Sequence, residues 1–154
     1  MDKPTSSSID TIARTCIAVR LRLLNRVVTN LYDDALRPLG LKVSQLNILV
    51  VTARLGLARP ARVCEILQLD TSTLSHNLKR MLTNGWLEVV PERDARTQPF
   101  RLTAKGKRLI ERAVPAWEQA QRQAADLLGD EGIALLDKSA GKLGRPLIRP
   151  CCFR

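Results

Sequence analysis

The sequence predicts a mainly α-helical fold carrying one short β-hairpin, and three observations predict it. Hydrophobic residues reach 45% of the 154-residue chain but aromatics only 3%. Leu, Val, Ile and Ala must therefore fill the core, which disfavours an all-β sandwich, because sheets draw on aromatic and β-branched residues. Long stretches repeat their apolar residues at threes and fours, the period of a helix. One stretch, GWLEVVPERDARTQPFRLT from Gly85 to Thr103, departs from that period and alternates instead.

Each element can be justified in order. From Ile9 to Leu36 no Gly or Pro occurs, and the spacing predicts one long helix. Ile9, Ile12, Cys16, Leu23, Val27 and Leu31 form one apolar row, and Ile17, Leu21, Leu24 and Val28 form a second beside it. Such a stripe is wider than one small core requires, so the helix should be buried on two sides, the second against another subunit. Pro38 and Gly40 stop it. Ser44 can cap a second helix running to about Leu55, with Leu46, Leu49 and Val50 facing inward. Gly56 and Pro60 punctuate, and a short helix follows over Ala61–Leu67. Asp70 or Thr71 opens the next, over Ser72–Thr83, and Asn84-Gly85 ends it. Two short helices so closely joined have the form of a helix-turn-helix.

The alternating stretch reads as a hairpin. Trp86, Leu87, Val89 and Val90 supply one arm and Phe100 to Thr103 the other, around a polar, basic tip. Pro91 and Pro99 limit the pairing. Helical spacing returns at Ala104 with Leu109, Ile110, Ala113, Trp117, Ala120 and Ala124 on one face. Pro115 should kink that helix, Gly129 ends it, and Asp130 can cap a last helix to Leu143. Trp117 is core or pocket lining. Residues 144–154 have no periodicity and read as a tail. The expected organisation is a single unit over 1–154: a helical region formed by 9–41 and 104–143, a second region over 44–103, and a tail.

Composition narrows the function. No apolar run approaches the ~18 residues of a membrane span, and the start MDKPTSSSID lacks the apolar segment of a secretory signal. A cytoplasmic protein making no membrane contact is the expectation. Cys16, Cys64, Cys151 and Cys152 show no metal-binding spacing, so reduced thiols, no metal and no cofactor are expected. With a lone His76, no Ser-His-acid or Cys-His grouping and no Gly-rich phosphate loop, nothing supports an enzyme. The net charge is +10. Residues 42–112 hold 13 basic and 6 acidic groups, and so +7 of it. A localised positive field attracts polyanions, of which nucleic acid is the usual one; a basic face kept for solubility is the competing reading.

The helix over Ser72–Thr83 sharpens this. Leu74, Leu78 and Met81 fall on one side; Ser72, His76, Lys79 and Thr83 fall opposite, flanked by Thr73, Ser75 and Arg80. The outward face has hydroxyls, an imidazole and two cations but no acid, whereas a merely solvated face usually mixes Glu with Lys. Such groups suit base edges and phosphates in a major groove about 12 Å wide. At the hairpin tip, Arg93 and Arg96 can enter a minor groove, and Asp94 can orient them.

The run Leu69-Asp70-Thr71-Ser72-Thr73-Leu74-Ser75, the segment LKRMLTNG from Leu78 to Gly85, the pair Asp94 and Arg96 two apart, and Arg101-Leu102-Thr103-Ala104-Lys105-Gly106 together resemble the MarR (multiple-antibiotic-resistance regulator) family of bacterial winged helix-turn-helix proteins. The likeness runs from about Ile9 to Leu143. It implies a winged helix-turn-helix with a helical dimerisation lobe, formed as a homodimer through the first and last helices. It implies a sequence-specific regulator of transcription, a repressor on an inverted-repeat stretch of double-stranded DNA, released by a small aromatic or lipophilic effector. Asp94 and Arg96 match the family's wing acid and minor-groove arginine. Gln68 stands where many relatives have glycine in the turn, which leaves the turn angle open to adjustment. Gln98 and Pro99 replace the usual basic or β-branched residues of the returning strand, which implies a less regular wing. Cys16 lies near the region where hydroperoxide-sensing relatives carry a reactive cysteine. A redox-switched repressor is therefore one alternative, against an inert buried Cys16; a winged-helix module binding protein is the other.

Overall fold

The computed structural model describes residues 6–92 and 98–143. Its helices are α1 (Ser6–Thr15), α2 (Ile17–Leu36), α3 (Val43–Leu55), α4 (Pro60–Leu67), α5 (Thr71–Thr83) and α6 (Ala104–Lys142), with strands β1 (Leu87–Val89) and β2 (Phe100–Leu102) between the last two. The mainly α fold with a hairpin is thus the fold observed. Helix α3 is its hub, contacting α2, α4, α6 and β2. Around it Leu36, Leu41, Ile48, Leu49, Leu74, Met81 and Phe100 form a closed core. Two buried polar groups there are satisfied locally: the Thr52 hydroxyl donates to the Ile48 carbonyl at 2.7 Å, and the Gln45 side-chain oxygen accepts from the Lys42 N–H at 3.2 Å.

The first helix differs from expectation. It is interrupted at Cys16, whose backbone is extended (φ −64°, ψ 110°). The flanks explain the break. Thr11 and Thr15 bond back to the carbonyls of Ser7 and Thr11 at 2.8 and 2.7 Å, a habit that bends helices. Ile17 adds β-branching at the junction. The Arg20 guanidinium then donates to the Arg14 carbonyl, occupying an acceptor that the break releases. Helix α3 begins one residue before Ser44 and is held from outside: the Val43 N–H donates to the Asp33 carboxylate of α2 at 2.8 Å. Val50 is exposed on α3 rather than facing the core. In the last helical stretch the expected end at Gly129 is observed. Pro115 is accommodated within α6, and the one non-helical residue inside that element is Gly129, at φ 67° and ψ 168°. That backbone conformation is open to glycine and to almost nothing else, so the helical backbone breaks there.

The helical lobe is joined by a side-chain contact that the sequence does not announce: the Tyr32 hydroxyl on α2 donates to the Gln121 side-chain oxygen on α6. Burial pushes the Tyr32 phenol above its ordinary pKa. The same lobe leaves large apolar side chains in solvent in the single chain. Ile12 is 67% exposed, Ile17 70% and Leu23 62% on the first two helices; Leu135 is 64% exposed on α6. No helix is long and apolar enough to cross a membrane among the described residues.

Candidate nucleic-acid interface

Helix α5 is set by the turn before it. Gln68 closes α4 in the left-handed region (φ 53°, ψ 48°), the one non-glycine residue with positive φ among the described residues. Its own N–H and that of Leu69 both bond the Cys64 carbonyl, the latter at 3.0 Å, which is the glycine-favoured way to end a helix. The chain therefore reaches the turn geometry that glycine favours while carrying a side chain. A left-handed non-glycine residue costs ~1–2 kcal/mol, and the Gln68 amide bonded to the Glu65 carbonyl at 2.9 Å offsets part of it. Asp70 is the N-cap residue in extended conformation, yet its carboxylate makes no capping bond.

From that start α5 buries Leu74 and Met81 and packs Leu78 and Leu82 against the core. Ser72, Thr73, Ser75, His76, Lys79 and Arg80 are all exposed. The helical wheel read from the sequence is thus the arrangement observed, and all six polar candidates lie on the solvent side. Lys79 and Arg80 form no ion pair among the described residues. Asn77 and Thr83 are partly spoken for, bonding back to the Thr73 and Lys79 carbonyls at 2.9 Å each.

The wing is tied to the end of α5 through one residue. The Thr103 N–H donates to the Trp86 carbonyl at 3.1 Å; its hydroxyl donates to the Gly85 carbonyl at 2.7 Å and accepts from the Gly106 N–H at 3.0 Å. Gly106 is needed beside it, because a Cβ there would lie 2.2 Å from the Trp86 carbonyl oxygen. Strands β1 and β2 pair antiparallel with Leu87 opposite Leu102 and Val89 opposite Phe100. One further bond, Val90 N–H to Pro99 carbonyl at 2.8 Å, extends the ladder, and Pro99, lacking an N–H, returns none. A third partner escaped the sequence reading: Ala58 bridges to Phe100 from the other side. A single residue has no periodicity to detect. The tip residues Arg93, Asp94 and Arg96 lie outside the described residues, as do Cys151 and Cys152.

Two charge pairs brace this region. Glu88 and Arg101 face each other across the hairpin at 2.6 Å, and Arg59 pairs with Glu92 at 2.7 Å. The hydrogen bond to Glu92, and secondly its charge, hold the Arg59 guanidinium above its ordinary pKa, with partial desolvation pulling the other way.

Between α3, the end of α4 and α6 lies a cavity of about 610 Å³ lined by Leu46, Val50, Val51, Ile66, Val114, Trp117 and Leu143, with Arg54, Asn47 and Gln68 as its polar groups. Trp117 is therefore pocket lining. The exposure of Val50 has the same origin, since its side chain forms part of the wall. Cys16 is half-buried at the α1–α2 break, and Cys64 is half-buried against the core; both are free thiols. No cluster of three or more potential metal ligands occurs among the described residues.

Known proteins fit this arrangement. A model of the MarR family matches residues 39–97. The multiple antibiotic resistance protein MarR of Salmonella typhimurium is 27% identical over 112 residues, covering 71% of this chain and 78% of the relative. Among solved structures, the M. tuberculosis transcriptional regulator MOSR in complex with DNA is similar with a TM-score of 0.68 and 31% identity, over 83% of this chain and 98% of that one. A mutant of E. coli MarR complexed with operator DNA has a TM-score of 0.75 at 21% identity, over 86% and 96%. Members of this family are transcriptional regulators, not enzymes. With the winged helix-turn-helix in place and a relative at 31% identity matched over 83% of this chain and 98% of its own, this chain belongs to the MarR family of transcriptional regulators.

Proposed function

We propose that the protein is a homodimeric repressor that binds double-stranded DNA at an inverted repeat and is released by a small aromatic or lipophilic ligand. The observation that carries this reading is the exposed, acid-free face of α5: Ser72, Thr73, Ser75 and His76 toward its start, Lys79 and Arg80 beyond. A helix with such a face fits a major groove, where hydroxyls and imidazole meet base edges and the two cations meet phosphates. Arg93 and Arg96 serve as the minor-groove contacts of the wing, with Asp94 orienting them. Solved relatives support the reading, since MOSR and an E. coli MarR mutant were each obtained with DNA.

Two further features support the finer parts. The apolar side chains left in solvent on α1, α2 and the end of α6 are the kind of surface that a second copy covers, and a two-fold pair would set its α5 helices about one DNA turn apart, ~34 Å. The cavity of about 610 Å³ falls in the ~300–1,000 Å³ range of small-molecule sites and lies against α4 and α6. A ligand bound there favours whichever conformation holds it better, and release follows if that conformation spaces the two α5 helices wrongly for the operator. The test is footprinting of the DNA flanking the protein's own gene, with and without phenolic compounds. A protected inverted repeat that opens on adding a phenolic compound is the expected result; no protection at any salt concentration would refute the reading.

A further inference from the structure

Arg59 stands where the helix-turn-helix meets the wing. It is the residue before the first turn of α4. It directly follows Ala58, whose N–H donates to the Phe100 carbonyl at 2.8 Å and whose carbonyl accepts from the Phe100 N–H at 2.9 Å. From this point its guanidinium reaches Glu92, three residues beyond the end of β1, in two parallel bonds: Nη1 to Oε2 at 2.9 Å and Nη2 to Oε1 at 2.7 Å. The Glu92 side chain is 29% exposed. Paired forks of this kind fix orientation as well as distance. The other described ion pairs are local: Arg62 with Glu65 and Arg37 with Asp34 lie three residues apart, and Arg101 with Glu88 sits within the hairpin. Only this pair, spanning 33 residues, joins α4 to the outgoing arm of the wing among the described residues.

Its sign is informative. Glu92 brings a negative charge into residues 42–112, the block with the +7 excess, and on a surface that meets DNA a carboxylate weakens binding by simple Coulomb repulsion. A gain elsewhere has to account for it, and energy is a poor candidate because partly exposed pairs contribute little to stability. Geometry is the better one. Helix α5 is joined to α4 by the Gln68 turn, and Phe100 of β2 is joined to Ala58. The β1–β2 ladder and Thr103 hold the base of the outgoing arm as far as Val90; beyond it the Arg59–Glu92 fork holds the arm at a further point, against the start of α4.

We propose that Glu92 is a positioning residue for DNA recognition: by clamping Arg59 it fixes the offset between the wing and α5, and so the separation of the two groove contacts that a DNA site must match. This rests on the DNA-binding reading above, and it makes a prediction opposite to that of charge alone. If only charge mattered, Glu92→Gln would tighten binding to any duplex. If Glu92 positions the wing, Glu92→Gln weakens binding to the footprinted duplex about five- to tenfold while leaving a scrambled duplex of equal length bound as well or better. Glu92→Asp keeps the charge but shortens the reach; its expected loss, confined to the footprinted duplex, therefore cannot be electrostatic.

The measurement is fluorescence anisotropy of the full-length protein with both duplexes, beside thermal melts showing both variants folded. Arg59→Gln serves as a third variant that breaks the fork from the other side, and it should also lose preference for the footprinted duplex. Unchanged or tighter binding of Glu92→Gln to the footprinted duplex overturns the proposal, as does an equal loss on both duplexes. A wild-type protein that does not discriminate between them overturns the DNA-binding reading and this one with it; discrimination in the wild type that survives in the variants overturns the clamp alone.

Discussion

Gly106 and Gln68 show how single residues set this fold. At Gly106 a methyl group would meet the Trp86 carbonyl oxygen at 2.2 Å and the Leu102 side chain at 2.8 Å. Backbone cannot yield as a flexible side chain does, so Gly106→Ala should destabilise the protein by ~2–4 kcal/mol, within the range of severe packing clashes. A melting temperature unchanged to within a degree would contradict that. Gln68 has the opposite prospect. Its left-handed backbone is relieved by glycine, although glycine also gains freedom in the unfolded chain. The balance should favour Gln68→Gly by ~0.5–1 kcal/mol, raising the melting temperature by roughly 1–4 °C in a chain of this size. A fall would show that the bond from the Gln68 amide to Glu65 outweighs the strain.

At the scale of elements, the end of α5 is held to the base of the wing by Thr103, which bonds Gly85, Trp86 and Gly106 together. Thr103→Val keeps the shape and removes the hydroxyl, and it should cost ~1 kcal/mol, the usual magnitude for a lost helix cap; an unchanged denaturant midpoint would count against this role. On α5 itself, Lys79→Ala and Arg80→Ala should each weaken binding to every duplex alike and lower the slope of log affinity against log salt by about 1, as phosphate contacts do. A loss confined to one sequence would instead make that residue a base reader. Most of these elements were legible in the sequence because their signals are periodic or chemical: the spacing of Leu74, Leu78 and Met81, the Asn84-Gly85 stop, the alternation from Phe100 to Thr103. What was not legible depends on small energy differences or on distant partners. A helix break at Cys16, lacking Gly or Pro, comes from threonine back-bonding and an arginine that satisfies the freed carbonyl. The Ala58 bridge and the Arg59–Glu92 fork join segments more than 30 residues apart, which no local pattern encodes. The polar face of α5 was readable residue by residue, whereas the cavity needed Val50, Trp117 and Leu143 to be brought together by the fold.

At the scale of the whole molecule, the proposed homodimer draws on the exposed apolar residues of α1, α2 and α6 and on the basic block over 42–112: in that proposal two copies associate so that two α5 helices reach one duplex. Leu23→Asp combined with Leu135→Asp places charges where a partner should cover apolar surface. The double variant should sediment as a monomer and bind DNA at least ~100-fold more weakly, the order of avidity lost when paired sites are separated. A double variant that remains dimeric would move the interface elsewhere.

The most direct test of the central claim is a salt titration of binding between the purified protein and the DNA flanking its own gene, read by fluorescence anisotropy. Binding should be tight and saturable with two chains per site, and its affinity should fall steeply between ~50 and ~200 mM salt, as release of counterions from several phosphates requires. Binding that is absent, or that does not change across that range, would contradict it.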